Sequence, residues 1–272
     1  MTSMAPPVAI AVFDIDGVLR DVGNSYRRAL ADTVEEFTGG GYRPTSEDID
    51  CLKGEGKWNN DWEGSQEMVL RYFEGQGQRR DAIAFDYDQI VDFFQRRYRG
   101  PNLADPNQWT GYITQEPLLV DAEYFAQLSR DRIAWGFFSG ATRGSASFVL
   151  ERRLGLIDPV VIAMEDAPGK PDPTGLLAAV DVLTQRQQLS DDLPVIYAGD
   201  TVADMQTVVQ ARQIGSAKRS WIGVGVLPPH VVTGSDTYRQ GYGEALKKAG
   251  ANQVISQIST LTATYIEGLH SR

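Results

Sequence analysis

The sequence predicts an α/β fold, in which a doubly wound parallel sheet carries an inserted and mostly helical domain. Five short apolar runs are typical of buried parallel strands: Val8–Phe13, Ile133–Phe138, Val160–Met164, Pro194–Ala198 and Trp221–Val226. Between the later runs, helical patterns cover about residues 142–154, 172–188 and 202–214. This alternation of strands and helices is typical of a parallel sheet that is covered on both faces.

The two remaining parts of the chain complete this prediction. Ala251–Ile255 suggests a short sixth strand, followed by a closing helix over Ile258–Leu269. Residues 14–132, between the first two strands, are far more than one crossover needs. Their helical patterns fall near the segments Asn24–Phe37, Glu63–Glu74 and Asp86–Tyr98. We therefore predict a helical domain over residues 21–111, inserted into a core of residues 1–20 and 112–272.

Composition excludes several classes of protein. Acidic residues outnumber basic ones 36 to 26, a net charge of −10 that argues against nucleic acid as a partner. Cys51 alone cannot form an intrachain disulfide, and with only two histidines, His230 and His270, a multi-histidine zinc site is improbable. The sequence has no apolar run long enough to cross a membrane and begins without a signal-peptide pattern. We expect a cytoplasmic protein without a membrane partner.

Two aspartates directly follow the first predicted strand. Asp14 and Asp16 stand in the run Phe13-Asp-Ile-Asp-Gly17. The carboxyl ends of parallel strands are where open α/β sheets bind their ligands. Carboxylates at that edge can hold a hard cation, and one of them can attack an electrophile. The alternative is that they cap helices.

The loops after the second and third strands carry candidate phosphate-binding groups. Ser139 and Gly140 place a hydroxyl and backbone N–H groups before a predicted helix, which suits a phosphate oxygen. A plain helix cap is the alternative for Ser139. Lys170 stands between Gly169 and Pro171, where it could neutralise a nucleophile or a phosphate. The alternative for Lys170 is a solvated surface lysine.

The fourth predicted strand ends in a further pair of carboxylates. Asp200 and Asp204 flank a turn that begins at Gly199, where the absence of a Cβ allows close backbone approach. Asp200 could instead be the N-cap of the following helix, and Asp204 a first-turn acid that the helix dipole favours. Both roles can coexist with metal binding.

Together these motifs resemble the haloacid dehalogenase superfamily, whose members share a Rossmann-like core with an aspartate nucleophile. The matching motifs are Asp14-Ile-Asp16-Gly-Val-Leu, Ser139-Gly140, Lys170-Pro-Asp-Pro and Gly199-Asp200 followed by Asp204. The insertion is similar to the helical cap domain of the subgroup that includes phosphoglycolate phosphatase and β-phosphoglucomutase.

The resemblance implies a role for each motif. Asp14 would be the nucleophile and Asp16 the general acid and base. Mg²⁺ would be held by Asp14, the backbone carbonyl of Asp16 and Asp200, with Asp204 in a direct or indirect role. Ser139, Gly140 and Lys170 would bind the phosphoryl oxygens. Dehalogenases of this superfamily lack the second aspartate, so Asp16 disfavours halide removal.

A segment of the insertion offers candidate contacts to the substrate, because similar caps use a loop here to meet the leaving group. Its candidates are Lys53, Lys57, Trp58 and Asn59. Aromatic and amide groups suit a sugar or polyol. Alternatively, Trp58 and Trp62, four residues apart, pack as one helical face. Arg143, in the core, could reach a second group of the substrate or remain an exposed surface arginine.

The leading interpretation is a Mg²⁺-dependent phosphatase for a small phosphorylated metabolite, plausibly a sugar or polyol phosphate. A sugar phosphomutase is the first alternative, disfavoured because the insertion contains no histidine. A non-catalytic binding module on the same fold is the second, and the full set of motif residues argues against it. The sequence leaves the particular metabolite and the oligomeric state open.

Overall fold

The computed structural model describes residues 5–270 and divides the chain into two compact units. One unit combines the residues up to Arg20 with those from Leu118 onward, and the other is Asp21–Pro117. We call them the core unit and the inserted unit. The predicted first boundary at residue 21 agrees with this division, whereas the predicted return at residue 112 falls short of Leu118.

The core unit contains a six-stranded parallel sheet. Its strands are β1 (Ala9–Phe13), β2 (Ile133–Phe138), β3 (Val161–Ile162), β4 (Val195–Gly199), β5 (Trp221–Val226) and β6 (Gln253–Ile255). Their spatial order is β3-β2-β1-β4-β5-β6. Strand β1 is therefore central, and its last residue, Phe13, pairs in register with Phe137 on one side and Ala198 on the other.

The sheet is buried on both faces because β1 contributes apolar side chains to each. Ala9, Ala11 and Phe13 belong to one core cluster, and Ile10 and Val12 to a second cluster on the other face. Side chains that alternate along a strand point to opposite faces, so a continuous apolar run serves both clusters. This confirms the α/β fold and the buried parallel strands that the sequence predicts.

The helices follow the strands in the expected rhythm. In chain order they are α1 (Tyr26–Phe37), α2 (Ser46–Lys53), α3 (Asp61–Gly75), α4 (Tyr87–Arg99), α5 (Ala122–Arg130), α6 (Arg143–Ser147), α7 (Thr174–Gln187), α8 (Val202–Ile214), α9 (Pro229–Val232), α10 (Asp236–Ala249) and α11 (Ala263–His270). Helix α6 continues into a π-helical turn, Phe148–Arg153. The closing helix predicted from residue 258 begins with a separate 3₁₀ turn, Ile258–Thr260, before α11.

Strand β3 is shorter than the predicted Val160–Met164, for a local reason. The backbone N–H of Ala163 donates to Oδ2 of Asp166 at 2.7 Å, and the N–H of Met164 to the carbonyl of Ala141 at 3.0 Å. These donors are used within loops, so the ladder with β2 ends at Ile162.

The inserted unit is helical, as predicted, and packs around its own aromatic core. The ring of Tyr26 on α1 lies 4.9 Å from that of Phe94 and 4.5 Å from that of Tyr98, both on α4. The 3₁₀ turn Tyr112–Gln115 belongs to this unit, because Ile113 is fully buried and the hydroxyl of Tyr112 donates to Oδ2 of Asp32 at 2.8 Å. These contacts extend the unit past residue 111. Within residues 5–270, no helix combines the length and the hydropathy needed to span a membrane.

Candidate active site

The topology of the core unit brings three of the predicted motifs together. Asp14 follows β1, Ser139 follows β2 and Asp200 follows β4, and these strands are neighbours in the sheet. The backbone N–H of Asp14 donates to the carbonyl of Ala198 at 2.8 Å, which extends the ladder by one residue. Strand β1 thus places Asp14 beside the loop that contains Asp200.

Lys170 occupies the space between two buried carboxylates. Its Nζ lies 2.8 Å from Oδ1 of Asp14 and 2.6 Å from Oδ1 of Asp204. The three residues are at most 6% exposed. The rings of Phe138 and Tyr197 flank the ammonium, with centroids 5.1 and 5.5 Å from Nζ. The surface interpretation of Lys170 is therefore wrong, since a charge this buried requires its ionic partners.

Burial and ion pairing shift the pKa values of Asp14 and Asp204 in opposite directions. Burial, with help from Asp204 and Asp16, raises the pKa of Asp14 to about 7, although Lys170 acts to lower it. Burial also acts to raise the pKa of Asp204, but Lys170 and hydrogen bonds from Thr201 outweigh it and lower that pKa. Burial alone would lower the pKa of Lys170, yet the two aspartates raise it above its usual range. Lys170 therefore stays charged.

Asp204 is held by protein donors on both carboxylate oxygens. Besides Lys170, Oδ1 accepts from the hydroxyl of Tyr197 at 2.8 Å. Oδ2 accepts from the backbone N–H and the hydroxyl of Thr201, at 2.9 and 2.6 Å, in the capping box of α8. Asp204 is thus both the first-turn acid of a capping box and the anchor of Lys170. The N-cap of α8 is Thr201, so the alternative that Asp200 is this N-cap is wrong. This arrangement favours an indirect role for Asp204 in metal binding.

The carboxylates of Asp14, Asp200 and Asp204 form a buried acidic cluster. Each contributes an oxygen that lies within 4.8 Å of the others. The backbone carbonyl of Asp200 accepts a hydrogen bond from the hydroxyl of Tyr242 on α10 at 2.8 Å, which fixes its loop. Oxygen ligands in such a cluster fit a hard divalent cation, which would also offset the repulsion among the carboxylates.

Gly17 allows the closest approach in this cluster. Its φ is +73°, and a Cβ at this position would lie 2.1 Å from Oδ2 of Asp200. We expect Gly17→Ala to displace the Asp200 carboxylate, to weaken binding of a divalent cation, tested with Mg²⁺ by titration calorimetry, and to destabilise the fold by about 1–3 kcal/mol through backbone strain. Gly155→Ala is the matched control: φ is +72° there, and a Cβ would meet none of the described atoms within 4 Å. Equal Mg²⁺ affinity in the two variants would contradict this role of Gly17.

Ser139 does not cap a helix, and its contact with a phosphate stays a prediction. It is buried, and its Oγ accepts from the backbone N–H of Ala141 at 3.1 Å. The N-cap of α6 is Thr142, whose side chain accepts from the N–H of Ser145. The helix-cap interpretation of Ser139 is therefore wrong. Gly140, directly after Ser139, is partly exposed.

Arg143 has a protein partner within the core unit. Its guanidinium donates to Oδ2 of Asp166, and its backbone N–H donates to Oε2 of Glu165 at 2.9 Å. These contacts tie the start of α6 to the loop that leads to Lys170. Whether Arg143 also meets a substrate stays a prediction.

The candidate residues of the inserted unit have mostly internal partners. Nζ of Lys53 lies 2.9 Å from Oδ1 of Asp61. The indole N–H of Trp58 donates to Oε2 of Glu55 at 2.8 Å. Lys57 is exposed and Asn59 partly exposed. Their contact with a substrate stays a prediction.

The alternative of a shared helical face for the two tryptophans is wrong. Trp58 precedes α3, whose N-cap is Asn60, whereas Trp62 lies inside that helix. The two side chains therefore do not share a helical repeat.

Three site residues escaped the sequence analysis. Tyr197 is hidden inside an apolar strand run, and Tyr242 lies on the polar helix α10. Arg20 is fully buried and pairs with Asp16, with Nε 2.6 Å and Nη2 2.5 Å from Oδ1. The one indication in the sequence that Arg20 is buried was its position directly after the apolar pair Val18-Leu19.

Comparison with known proteins agrees with the motifs. The profile of the haloacid dehalogenase-like hydrolases matches residues 8–212. An imidazoleglycerol-phosphate dehydratase from Phytophthora nicotianae is 28% identical over 257 residues, which are 93% of this chain and 51% of the relative. The chain thus spans about half the length of the curated relative that it matches.

Solved structures share the fold. A phosphonoacetaldehyde hydrolase-like protein from Oleispira antarctica has a TM-score of 0.66 at 18% identity, covering 99% of this chain and 94% of its own. A β-phosphoglucomutase from Clostridium difficile has a TM-score of 0.61 at 16% identity, covering 97% of both chains. A hydrolase from Deinococcus radiodurans, with bound phosphate and sodium, has a TM-score of 0.58 at 19% identity, covering 97% of this chain and 98% of its own.

A buried aspartate that is ion-paired to a buried lysine thus directly follows the central strand β1 of a parallel sheet, beside an acidic cluster. The chain belongs to the haloacid dehalogenase-like hydrolase family. The resemblance drawn from the motifs is thereby confirmed.

Proposed function

We propose that the protein is a Mg²⁺-dependent phosphatase that hydrolyses a small phosphorylated metabolite through an aspartyl-phosphate. The observation that carries this proposal is the buried ion pair of Asp14 with Lys170, at 2.8 Å, beside the acidic cluster. Phosphoryl transfer depends mainly on in-line positioning and on neutralisation of charge. A nucleophilic carboxylate with a fixed cation beside it meets both needs.

In the first step, a carboxylate oxygen of Asp14 attacks phosphorus and the bond from phosphorus to the leaving oxygen breaks. The leaving oxygen keeps the electron pair and takes a proton from the Asp16 carboxyl, which yields an alcohol. In the second step, water attacks the phosphorus while the Asp16 carboxylate accepts its proton. The bond to Asp14 then breaks and inorganic phosphate leaves.

The donor set fits Mg²⁺. Asp14 and Asp200 would hold the ion together with the backbone carbonyl of Asp16, while Asp204 would act through Lys170 and Thr201. When bound, the ion would neutralise the negative charge of the transferring phosphoryl group. Ser139, the backbone of Gly140 and Lys170 would contact the phosphoryl oxygens.

We propose a sugar or polyol phosphate as the substrate class. The aromatic, amide and lysine side chains near Trp58 in the inserted unit are the groups that bind polyols well. The name of the curated relative contains a phosphorylated imidazole polyol, which makes imidazole-bearing phosphate esters a useful part of any substrate panel. We propose no nucleic-acid or membrane partner for this protein.

A phosphomutase is the second candidate, favoured by the likeness to β-phosphoglucomutase. A mutase must shield the aspartyl-phosphate from water and return its phosphate to the substrate. It would therefore convert a sugar phosphate without a matching release of inorganic phosphate.

The test is release of phosphate from a panel of sugar, polyol, imidazole-bearing, nucleotide and amino-acid phosphates, with Mg²⁺ and with EDTA. We expect Mg²⁺-dependent release from one class, in proportion to the loss of substrate. Turnover without free phosphate would favour the mutase. Absence of turnover on every member would contradict both enzymes and favour a binding module.

A further inference from the structure

Arg20 is the largest fully buried side chain among the described residues. A guanidinium is almost never buried to this extent unless it has an ionic partner. One of its partners is Asp16, which the proposed function makes the general acid and base. Nε and Nη2 of Arg20 lie 2.6 and 2.5 Å from Oδ1 of that carboxylate.

Both contacts fall on one oxygen of Asp16. Within the part of the chain that the structure describes, Oδ2 of Asp16 receives no hydrogen bond, and the side chain is 23% exposed. The other oxygen is therefore the one that can carry a proton to a leaving group. The arginine fixes the carboxylate on one side and leaves the opposite side accessible.

The backbone holds Arg20 itself in place. The N–H of Gly17 donates to the carbonyl of Arg20 at 3.0 Å, and the N–H of Leu19 donates to that of Ile15 at 2.8 Å. Arg20 also forms isolated β-bridges with Asp16 and with Leu118. The Arg20 side chain is fully buried whereas that of Asp16 is 23% exposed, so the arginine is the more constrained of the two partners.

We propose that Arg20 is a positioning residue for Asp16. It binds Oδ1 and thereby aims Oδ2 at the leaving oxygen in the first step and at the attacking water in the second. Arg20 neither gains nor loses a proton. Because acid catalysis requires the proton donor within hydrogen-bond reach of the leaving atom, a misaimed carboxyl loses much of its effect. This inference rests on the proposed function, in which Asp16 has the acid role.

The test compares two substrates with leaving groups of different basicity. p-Nitrophenyl phosphate releases a stable phenolate that needs little protonation, whereas an alkoxide needs a proton as it leaves. We expect Arg20→Lys, which keeps the charge but loses the forked geometry, to lower kcat/KM on the best alkyl phosphate of the panel at least about tenfold. We compare kcat/KM because it contains only the steps up to departure of the leaving group, so the second step, which is the same for both substrates, does not enter. On p-nitrophenyl phosphate the loss should stay within about threefold.

Controls separate positioning from a general structural effect. Arg186→Lys, in the exposed pair with Asp158, should leave the ratio of the two rates unchanged. In an Asp16→Asn background, Arg20→Lys should add no further selective loss, because the group it aims is gone. Arg20→Met, which removes the charge, should give a larger selective loss if it folds. The test with Arg20→Lys is valid whether or not Arg20→Met folds.

Equal losses on the two substrates in Arg20→Lys would overturn the inference, because they would indicate a structural role alone. Failure of the proposed function has a different signature. In that case, the wild-type protein cleaves neither substrate, or Asp16→Asn loses the same fraction of kcat/KM on both, and the inference is overturned together with it.

Discussion

Asp14→Asn should abolish turnover and leave the protein at least as stable as the wild type at pH 8 in EDTA. The amide cannot form the covalent intermediate, so we expect a loss of at least about 10⁴-fold in kcat. Stability should not fall, because burial of the Asp14 carboxylate is costly. Turnover is measured on the best substrate of the panel, and stability by thermal unfolding.

The raised pKa of Asp14 predicts how the stability difference between Asp14→Asn and the wild type changes with pH. Burial raises the pKa of Asp14 from 3.8 to about 7, so the folded protein binds a proton that the unfolded chain releases. The free energy of unfolding from this group is highest below pH 4 and is lost as pH rises toward 7. Asp14→Asn removes that slope, and its advantage over the wild type should therefore shrink toward pH 4.

Asp191→Asn is the control for this experiment, because Asp191 is an exposed carboxylate paired with Lys218 on the surface. It should retain wild-type turnover. If Asp14→Asn kept a tenth or more of the activity, the nucleophile would have to be another group.

Lys170→Met should be the most destabilising of these substitutions. It leaves Asp14 and Asp204 as neighbouring buried carboxylates without their shared cation, and removal of one partner from a buried ion pair typically costs about 3–5 kcal/mol. Turnover should fall as well, because the fixed positive charge beside the nucleophile is lost. Chemical unfolding in EDTA and the phosphate-release assay measure the two effects.

Two comparison variants test whether the destabilisation in Lys170→Met is electrostatic. Lys218→Met removes a lysine from an exposed pair and should leave the unfolding midpoint unchanged. The double variant Lys170→Met with Asp14→Asn should recover part of the lost stability, because one of the two uncompensated carboxylates is gone. Additive losses in the double variant would contradict this electrostatic explanation.

The strands were predictable because burial on both faces leaves a continuous apolar run. Ile133–Phe138 and Trp221–Val226 keep their predicted bounds. Helix α10 was not predicted: only Leu246 of its 14 residues is buried, and the other side chains of its packed face, Tyr238, Tyr242 and Ala249, are only partly buried. Strand β3 was predicted too long. Its pairing with β2 ends early because Asp166 accepts a hydrogen bond from the backbone N–H of Ala163, and a pattern of apolar residues does not indicate such a contact.

The strand-end acids were predictable for a similar reason, since their location follows from the sheet alone. Their partners were not. The contact of Lys170 with Asp204 joins a loop to the first turn of α8, which is remote in sequence. Tyr197 contributes its hydroxyl from within an apolar strand. The pairing of Arg20 with Asp16 spans only four residues but depends on a loop that no repeat pattern describes.

The central place of β1 determines the order in which this chain can fold. Its neighbours begin at Ile133 and Val195, while the inserted unit is continuous over Asp21–Pro117. During synthesis the whole insertion emerges before β1 has either partner, and the loop-closure entropy of two long-range pairings must be overcome before the sheet gains stability. Asp14 is therefore made well before Asp204, and the ion-paired setting that both share with Lys170 is complete only after Asp204 has been added.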